Sequence, residues 1–206
     1  AGIQVLKDLG ATVVEISIEG LTELLRRPLT DFTVERAFYL EELPEERKDR
    51  FSQRYHDGLI RGLATSGAEY LRALQRGHQV QVALESALEP YDAFVVPTTP
   101  IVAPPIKAAE AASARAEAEA AARREAGESA PLVRERGPMG TIGRYTGPFN
   151  RSGQPALTVP CGFTTDGLPI GMMIVGKRFA ESTVLRIGHA YQQATNWHNR
   201  RPPLLD

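Results

Sequence analysis

The sequence predicts an α/β fold in which helices cover a central sheet. Two apolar runs, Ala156–Phe163 and Pro169–Gly176, are separated by a Thr-Thr-Asp-Gly-Leu turn. Asp-Gly between apolar runs favours a tight turn, because both residues tolerate positive φ. Neither run alternates between apolar and polar residues, which is typical of strands buried on both faces. Long amphipathic segments on either side of these strands have the period of helices that would cover the sheet.

The N-terminal third contributes short elements. Residues 2–10 read as the end of a helix, and residues 11–18 alternate between apolar and polar side chains as a half-covered strand does. A helix followed by a strand suggests the second half of a βαβ unit. A further helix is expected over residues 31–43, with Asp31 as its N-cap and Pro44 at its end.

Two longer amphipathic helices are predicted next, over residues 45–66 and 68–89. The second has a mostly apolar stripe made of Leu71, Leu74, His78, Val82, Glu85 and Leu88. A short buried strand is expected at 93–96. The proline-rich loop 97–105 that follows excludes a helix.

The C-terminal half combines one variable segment with a final helix. Residues 107–136 are rich in Ala, Glu and Arg but poor in large apolar side chains, so we expect either a solvated helix or a mobile surface excursion. Residues 181–197 are expected to form the last helix, with Ser182 as its N-cap. Its apolar face consists of Val184, Ile187, Gly188, Tyr191, Ala194 and Trp197.

The composition does not favour any particular class of macromolecular partner. The 206 residues are 42% hydrophobic and 24% charged with a formal net charge of −1, so nothing favours binding to nucleic acid or to an anionic membrane. The single cysteine, Cys161, excludes an internal disulfide framework and is compatible with a cytoplasmic location. No apolar run approaches the length of a membrane span. We predict no cofactor.

Three spaced motifs carry a resemblance to a known family. They are the segment from Asn150 through Gly162 to Gly176 (N-x-x-G-x-P-A-L-x-V-P-x-G, then G-L-P-I-G and V-G), the segment Tyr91–Pro105 (YDAFVVPTTP…APP) and the ending Ala194–Pro203 (ATNWH…RPP). Together they resemble the C-terminal region of the amidase signature family. The resemblance covers most of the chain apart from about residues 107–139. It implies the C-terminal part of a single amidase domain of α/β/α architecture, with a mixed central sheet between helical layers.

Family enzymes are similar in using a Ser–Ser–Lys triad whose nucleophile lies in a Gly/Ser-rich stretch. No such stretch occurs here, and no Ser has a Lys three residues later. We therefore expect the triad upstream of Ala1, a chain cut inside an element, no amide hydrolysis by the chain alone, and aggregation through unpaired sheet edges. The parent is expected to cleave C–N amide bonds through an acyl-enzyme.

Other chemical signals are weak. Gly171–Lys177 matches seven positions of a P-loop, but Arg178 replaces the hydroxyl residue that would bind magnesium, so we interpret the segment as a strand. Cys161 lies between Pro160 and Gly162 without an acidic neighbour and is interpreted as a small buried thiol. The four histidines lack partners at ligand spacing, so no metal site is predicted.

The proline-bracketed loops are the better candidates for substrate contact. Thr98 and Thr99 directly follow a buried strand, where α/β sheets usually place their ligand crevices. Asn150 and Ser152 lie in the loop entering the signature strands. Asn150 either orients a substrate amide or holds that loop through bonds to the backbone. We predict that these four residues bind substrate.

Two alternatives to a free-standing amidase stay open. One is the glutamine-hydrolysing A subunit of a tRNA-dependent amidotransferase, which would act only with its partner subunits and would not itself bind nucleic acid. The other is a non-catalytic binding or structural module that reuses the fold. The expected partners are a small-molecule amide, with a homodimer or amidotransferase subunits as further associations, and no membrane.

Overall fold

The computed structural model describes residues 2–26, 31–48, 50–51, 53–126 and 142–201. These residues divide into two compact units. The first unit contains the described residues up to 19 and those from 81 onward, and it includes the whole sheet. The second contains residues 20–80. Both pairs of predicted substrate-binding residues lie in the first unit.

Three antiparallel strands form the sheet of the first unit. They are β1 (Ala93–Pro97), β2 (Ala156–Phe163) and β3 (Pro169–Gly176), in the order β1-β3-β2. The hairpin between β2 and β3 is closed by Gly167 at φ 81°, whose N–H donates to the carbonyl of Thr164 over 3.0 Å. The predicted strands and their Asp-Gly turn are therefore confirmed, and β3 lies in the middle.

One face of the sheet carries the main core. Val159 of β2 and Met172 and Ile174 of β3 are buried together with side chains from two helices, α1 (Gly2–Asp8) and α9 (Glu181–Gln193). The helices contribute Leu6, Val184 and Tyr191. Burial of each large apolar side chain stabilises the fold by roughly 1.5–3 kcal/mol.

The opposite face of the sheet is also covered over part of its length. Phe94, Met173 and Val175 are buried there. The ring of Phe149, on the short helix α8 (Gly147–Ser152), lies 6.5 Å from that of Phe94 between centroids. Helices thus lie on both faces of the sheet, and the predicted α/β class is confirmed.

The regular elements in the described part of the second unit are helices. The unit contains α2 (Leu21–Arg26), α3 (Asp31–Glu41), α4 (Glu45–Lys48), α5 (Gln53–Leu63) and most of α6 (Gly67–Leu88).

Helices α3 and α5 cross closely at Gly62, where a Cβ atom would lie 2.7 Å from the Cβ of Ala37. Helix α6 begins with a capping box, since Ser66 and Glu69 exchange backbone-to-side-chain hydrogen bonds of 3.0 and 3.2 Å.

Several predictions made from the sequence were wrong, in the type of an element or in its bounds. Residues 11–18 are not a strand, because alternation produces a strand only where a neighbouring strand pairs with it. The three strands pair only in antiparallel fashion, so the described residues lack the parallel neighbour that a mixed sheet requires. The helix predicted over 45–66 is divided into α4 and α5, and α2 was not predicted. The N-cap position of helix α9 is Ala180 rather than Ser182, and the helix ends at Gln193.

The apolar stripe predicted for α6 was also wrong in part. Leu71, Leu74 and Val82 are exposed, and Leu88 is the member of that stripe that is fully buried. The buried stripe instead contains Ala73, Gly77, Val80, Leu84 and Leu88. The buried side of α6 thus combines two small residues, at 73 and 77, with three large apolar ones, at 80, 84 and 88.

Part of the variable segment is helical. Helix α7 (Ile106–Glu125) follows the proline-rich loop, which agrees with the first of the two expectations for this segment. Residues 127–136 of the same segment lie outside the described residues, as do Pro202 and Pro203 of the C-terminal motif. In the part of the chain that the structure describes, no helix is both long and apolar enough to span a membrane.

Candidate functional site

Thr98 continues the ladder of β1 by one residue. Its N–H donates to the carbonyl of Gly171 over 3.0 Å, and its Oγ1 lies 3.1 Å from Oγ1 of Thr158 on β2. The hydroxyl pair therefore spans the middle strand. Sequence analysis selected Thr98 but missed Thr158. The available signal was that Thr158 is the one hydroxyl residue in the apolar run 156–163.

Gly171 is what permits this pairing. A Cβ atom at position 171 would lie 2.7 Å from Oγ1 of Thr98 and 3.1 Å from Cγ2 of Thr158. The first distance is shorter than any ordinary contact, so a side chain there would force the threonines apart. The two threonine side chains thus occupy the space above Gly171 that a side chain at this position would need.

Thr99 has a different orientation from Thr98. Its Oγ1 donates to the carbonyl of Ile101 over 2.8 Å, a local bond that fixes the start of the proline-rich loop. The side chain is half-buried. Contact between Thr99 and substrate stays a prediction.

Asn150 lies on a helix rather than in the predicted loop. Helix α8 has Pro148 in its first turn and ends at Gly153, which adopts the left-handed conformation at φ 68° and donates its N–H to the carbonyl of Phe149. Proline at the start and glycine at the end are a recognisable helix signal, so this element was predictable from the sequence. The Asn150 side chain is exposed, and its contact with substrate stays a prediction.

Ser152, at the end of the same helix, is buried. Its Oγ donates to Oε1 of Gln154 over 2.8 Å, and Nε2 of Gln154 donates to the carbonyl of Gly176 over 3.4 Å. The two side chains join α8 to the end of β3. The geometry therefore gives the Ser152 hydroxyl a structural partner, and its contact with substrate stays a prediction. Sequence analysis did not single out Gln154.

Cys161 has the environment of an unreactive thiol. It is half-buried at the edge of the main core, and burial raises the pKa of its thiol. Burial likewise raises the pKa of the neighbouring Tyr191 hydroxyl. At neutral pH the thiol stays protonated, which argues against a nucleophilic role.

Lys177 and Arg178, the charged residues at the end of the P-loop-like segment, both contact other groups of the protein. Lys177, at the end of the P-loop-like segment, donates from Nζ to the carbonyl of Glu89 over 2.7 Å, and residues 171–176 of that segment belong to strand β3. Arg178 lies 3.6 Å from a carboxylate oxygen of Glu85. Within the described ranges, no group of three or more His, Cys, Asp or Glu side chains is arranged to hold a metal ion.

Comparison with known proteins gives a consistent result. A family model described as Amidase matches residues 2–185. The chain is 30% identical over 227 aligned positions to the A subunit of a glutamyl-tRNA(Gln) amidotransferase from Chloroflexus aggregans. That alignment covers 98% of this chain and 41% of the relative, so the chain spans about two-fifths of the relative's length.

Solved structures show the same fold. A 6-aminohexanoate cyclic dimer hydrolase complexed with substrate aligns with a TM-score of 0.77 at 24% identity, over 100% of this chain and 42% of that one. A structure described as an amidase aligns with a TM-score of 0.65 at 26% identity, over 93% of this chain and 40% of the other. The described architecture therefore recurs as a part of larger proteins.

Proposed function

The chain belongs to the amidase signature family, and on that premise we propose that the protein hydrolyses C–N amide bonds. The observation that carries the proposal is the family match over residues 2–185, which includes both motif regions around Thr98 and Asn150. We further propose that residues 1–206 are the C-terminal portion of one amidase domain. The relatives' greater length supports this, since the aligned part is 41% of one relative.

The proposed mechanism is that of a Ser–Ser–Lys acyl-enzyme. A neutral Lys deprotonates a bridging Ser, which activates a second Ser to attack the amide carbonyl while backbone N–H groups hold the oxyanion. Ammonia or an amine leaves with the proton, and water then cleaves the ester to the acid. Nucleophile activation needs Ser and Lys in contact, whereas Ser152 is bonded to Gln154 and Lys177 to the carbonyl of Glu89. Because the sequence also has no Gly/Ser-rich stretch and no Ser with a Lys three residues later, we propose that the triad lies in a segment upstream of Ala1.

In this scheme the present chain supplies one wall of the site. Thr98 and Thr99 at the end of the sheet are half-buried and Asn150 on α8 is exposed, so each of these side chains is accessible to a bound molecule. Ser152 is the fourth proposed substrate contact, and its bond to Gln154 would hold α8 in place while the site is empty.

The A subunit of an amidotransferase is the second candidate. The observation favouring it is the 30% identity to the Chloroflexus aggregans protein over 98% of this chain. This candidate requires partner subunits, whereas a free-standing amidase acts alone or as a homodimer. A non-catalytic module that reuses the fold is the candidate from another functional class.

One assay separates the three. The protein is expressed from its complete reading frame and incubated with benzamide, a short aliphatic amide and glutamine, and ammonia is measured with and without amidotransferase partner subunits. Hydrolysis of simple amides by the protein alone supports the amidase. Glutamine hydrolysis that appears only with the partner subunits supports the second candidate. No ammonia under any condition contradicts hydrolysis of primary amides, by a free-standing amidase and by the A subunit alike, and favours the non-catalytic module.

A further inference from the structure

The hydroxyl bond between Thr98 and Thr158 is unusual for a sheet. Adjacent strands are separated by about 4.8 Å, so side chains on the two outer strands start roughly 9.6 Å apart and are normally kept separate by the residues between them. Here the two Oγ1 atoms nevertheless lie 3.1 Å apart across β3. They meet above Gly171, the position at which the middle strand has no side chain.

The pair has a defined hydrogen-bonding capacity. When one hydroxyl donates to the other, the acceptor keeps its own O–H, and lone pairs remain on both oxygens. The pair therefore offers one donor and at least one acceptor to a third group. A carboxamide needs this combination, because its carbonyl accepts and its N–H donates. A carboxylate has no donor and would use only the free O–H of the pair. A divalent cation would need more oxygen ligands than two hydroxyls supply.

The position of the pair leaves it open to a ligand. Thr158 is exposed and Thr98 is half-buried, whereas the neighbours of Thr158 on β2, Leu157 and Val159, point into the core beneath α9. The other predicted hydroxyls are engaged, Thr99 by the carbonyl of Ile101 and Ser152 by Gln154.

We propose that the hydroxyl pair of Thr98 and Thr158 above Gly171 (the threonine notch) binds an amide group of the substrate. This inference rests on the proposed amide hydrolase function and deepens it by naming Thr158 and Gly171. The amide is bound by a hydrogen bond from the free hydroxyl to its carbonyl and by a hydrogen bond from its N–H to a threonine oxygen.

The test compares Thr158→Val, Thr158→Ser and the control Thr183→Val, which changes a threonine on α9, on the opposite face of the sheet. Each protein is expressed from its complete reading frame, and kcat and KM are measured with benzamide. We expect Thr158→Val to raise KM about tenfold, the effect of losing one hydrogen bond to substrate. Thr158→Ser keeps the hydroxyl and should have a KM several-fold lower than that of Thr158→Val, whereas Thr183→Val should stay within about twofold of wild type. A melting temperature for each variant separates loss of folding from loss of binding.

The two proposals fail in distinguishable ways. If wild type hydrolyses amides and Thr158→Val has an unchanged KM, the notch is overturned while the function stands. If wild type hydrolyses no amide, the function is overturned, and the notch is judged by titrating benzamide against methyl-labelled threonine. Saturating shifts at Thr98 and Thr158 that benzoate does not produce would support the notch, and their absence would overturn it.

Discussion

The side chain of Leu157 on β2 occupies the space that a Cβ atom would need at Gly188 of α9. Gly188 is buried, and Val159 lies 3.8 Å from the same hypothetical atom. Helix α9 thus packs with its backbone directly against the sheet. Because α9 and the sheet share the main core, this contact sets the distance between the helix and the sheet.

Gly188→Ala should destabilise the protein. In an exposed helix the same change stabilises by up to about 1 kcal/mol, since alanine has the higher helix propensity. Here the added methyl group overlaps Leu157, and overpacking of this kind costs roughly 1–3 kcal/mol. Urea unfolding at equilibrium measures the change. The adjacent exposed His189, replaced by alanine, is the control and should change the free energy of unfolding by less than about 0.5 kcal/mol.

Ser152→Ala should destabilise by roughly 1–3 kcal/mol, because it leaves Oε1 of the buried Gln154 without its donor. Ser182→Ala is the matched control. Ser182 is exposed and does not cap α9, so its substitution should change the free energy of unfolding by less than about 0.5 kcal/mol. Equal effects of the two substitutions on urea unfolding would contradict the structural role given to Ser152.

The capping box of α6 makes a pH-dependent contribution to stability. Hydrogen bonds from the side chain and backbone of Ser66 lower the pKa of Glu69. A carboxyl group whose pKa is lowered on folding stabilises the folded state above its unfolded pKa, and this stabilisation is lost as the pH falls through the folded value. The side-chain carboxyl of Glu69, followed by NMR, should titrate below the ordinary range for glutamate. Ser66→Ala should return the pKa toward that range, and a pKa unaffected by the substitution would contradict the cap.

Cys161 should react slowly with a thiol reagent at neutral pH. Burial raises its pKa, so the thiolate fraction is small, and the half-buried sulfur is also less accessible to the reagent. The rate should increase with pH through the alkaline range and rise to that of a free thiol on unfolding in urea. Reaction at pH 7 as fast as that of a small free thiol would show that the sulfur is accessible and that its pKa is not raised.

Local signals in the sequence predicted the strands of the sheet but not the segment 11–18 or the long-range contact at the site. The apolar runs and the Asp-Gly turn predicted β2 and β3, because a hairpin is specified by its own residues. The strand predicted over 11–18 was wrong because pairing depends on a distant partner. For the site, position after a strand identified Thr98, whereas its partner Thr158 is 60 residues away and their contact requires a bare glycine on a third strand. Only the assembled sheet brings these three residues together.

The 206-residue chain alone should release no ammonia from benzamide or glutamine, because the Ser–Ser–Lys set is proposed to lie upstream of it. Ile170 on β3 and Phe179 beyond its end are exposed, and the alternating residues 11–18 expose Val14 and Ile16, so we also expect the isolated chain to self-associate. Light scattering and an ammonia assay on the same preparation test both expectations. Cys161→Ala is the control for activity, since ammonia release abolished by that substitution would contradict the assignment of catalysis to an upstream segment. A monomer that melts cooperatively would contradict the expected association and would mean that these apolar residues need no partner.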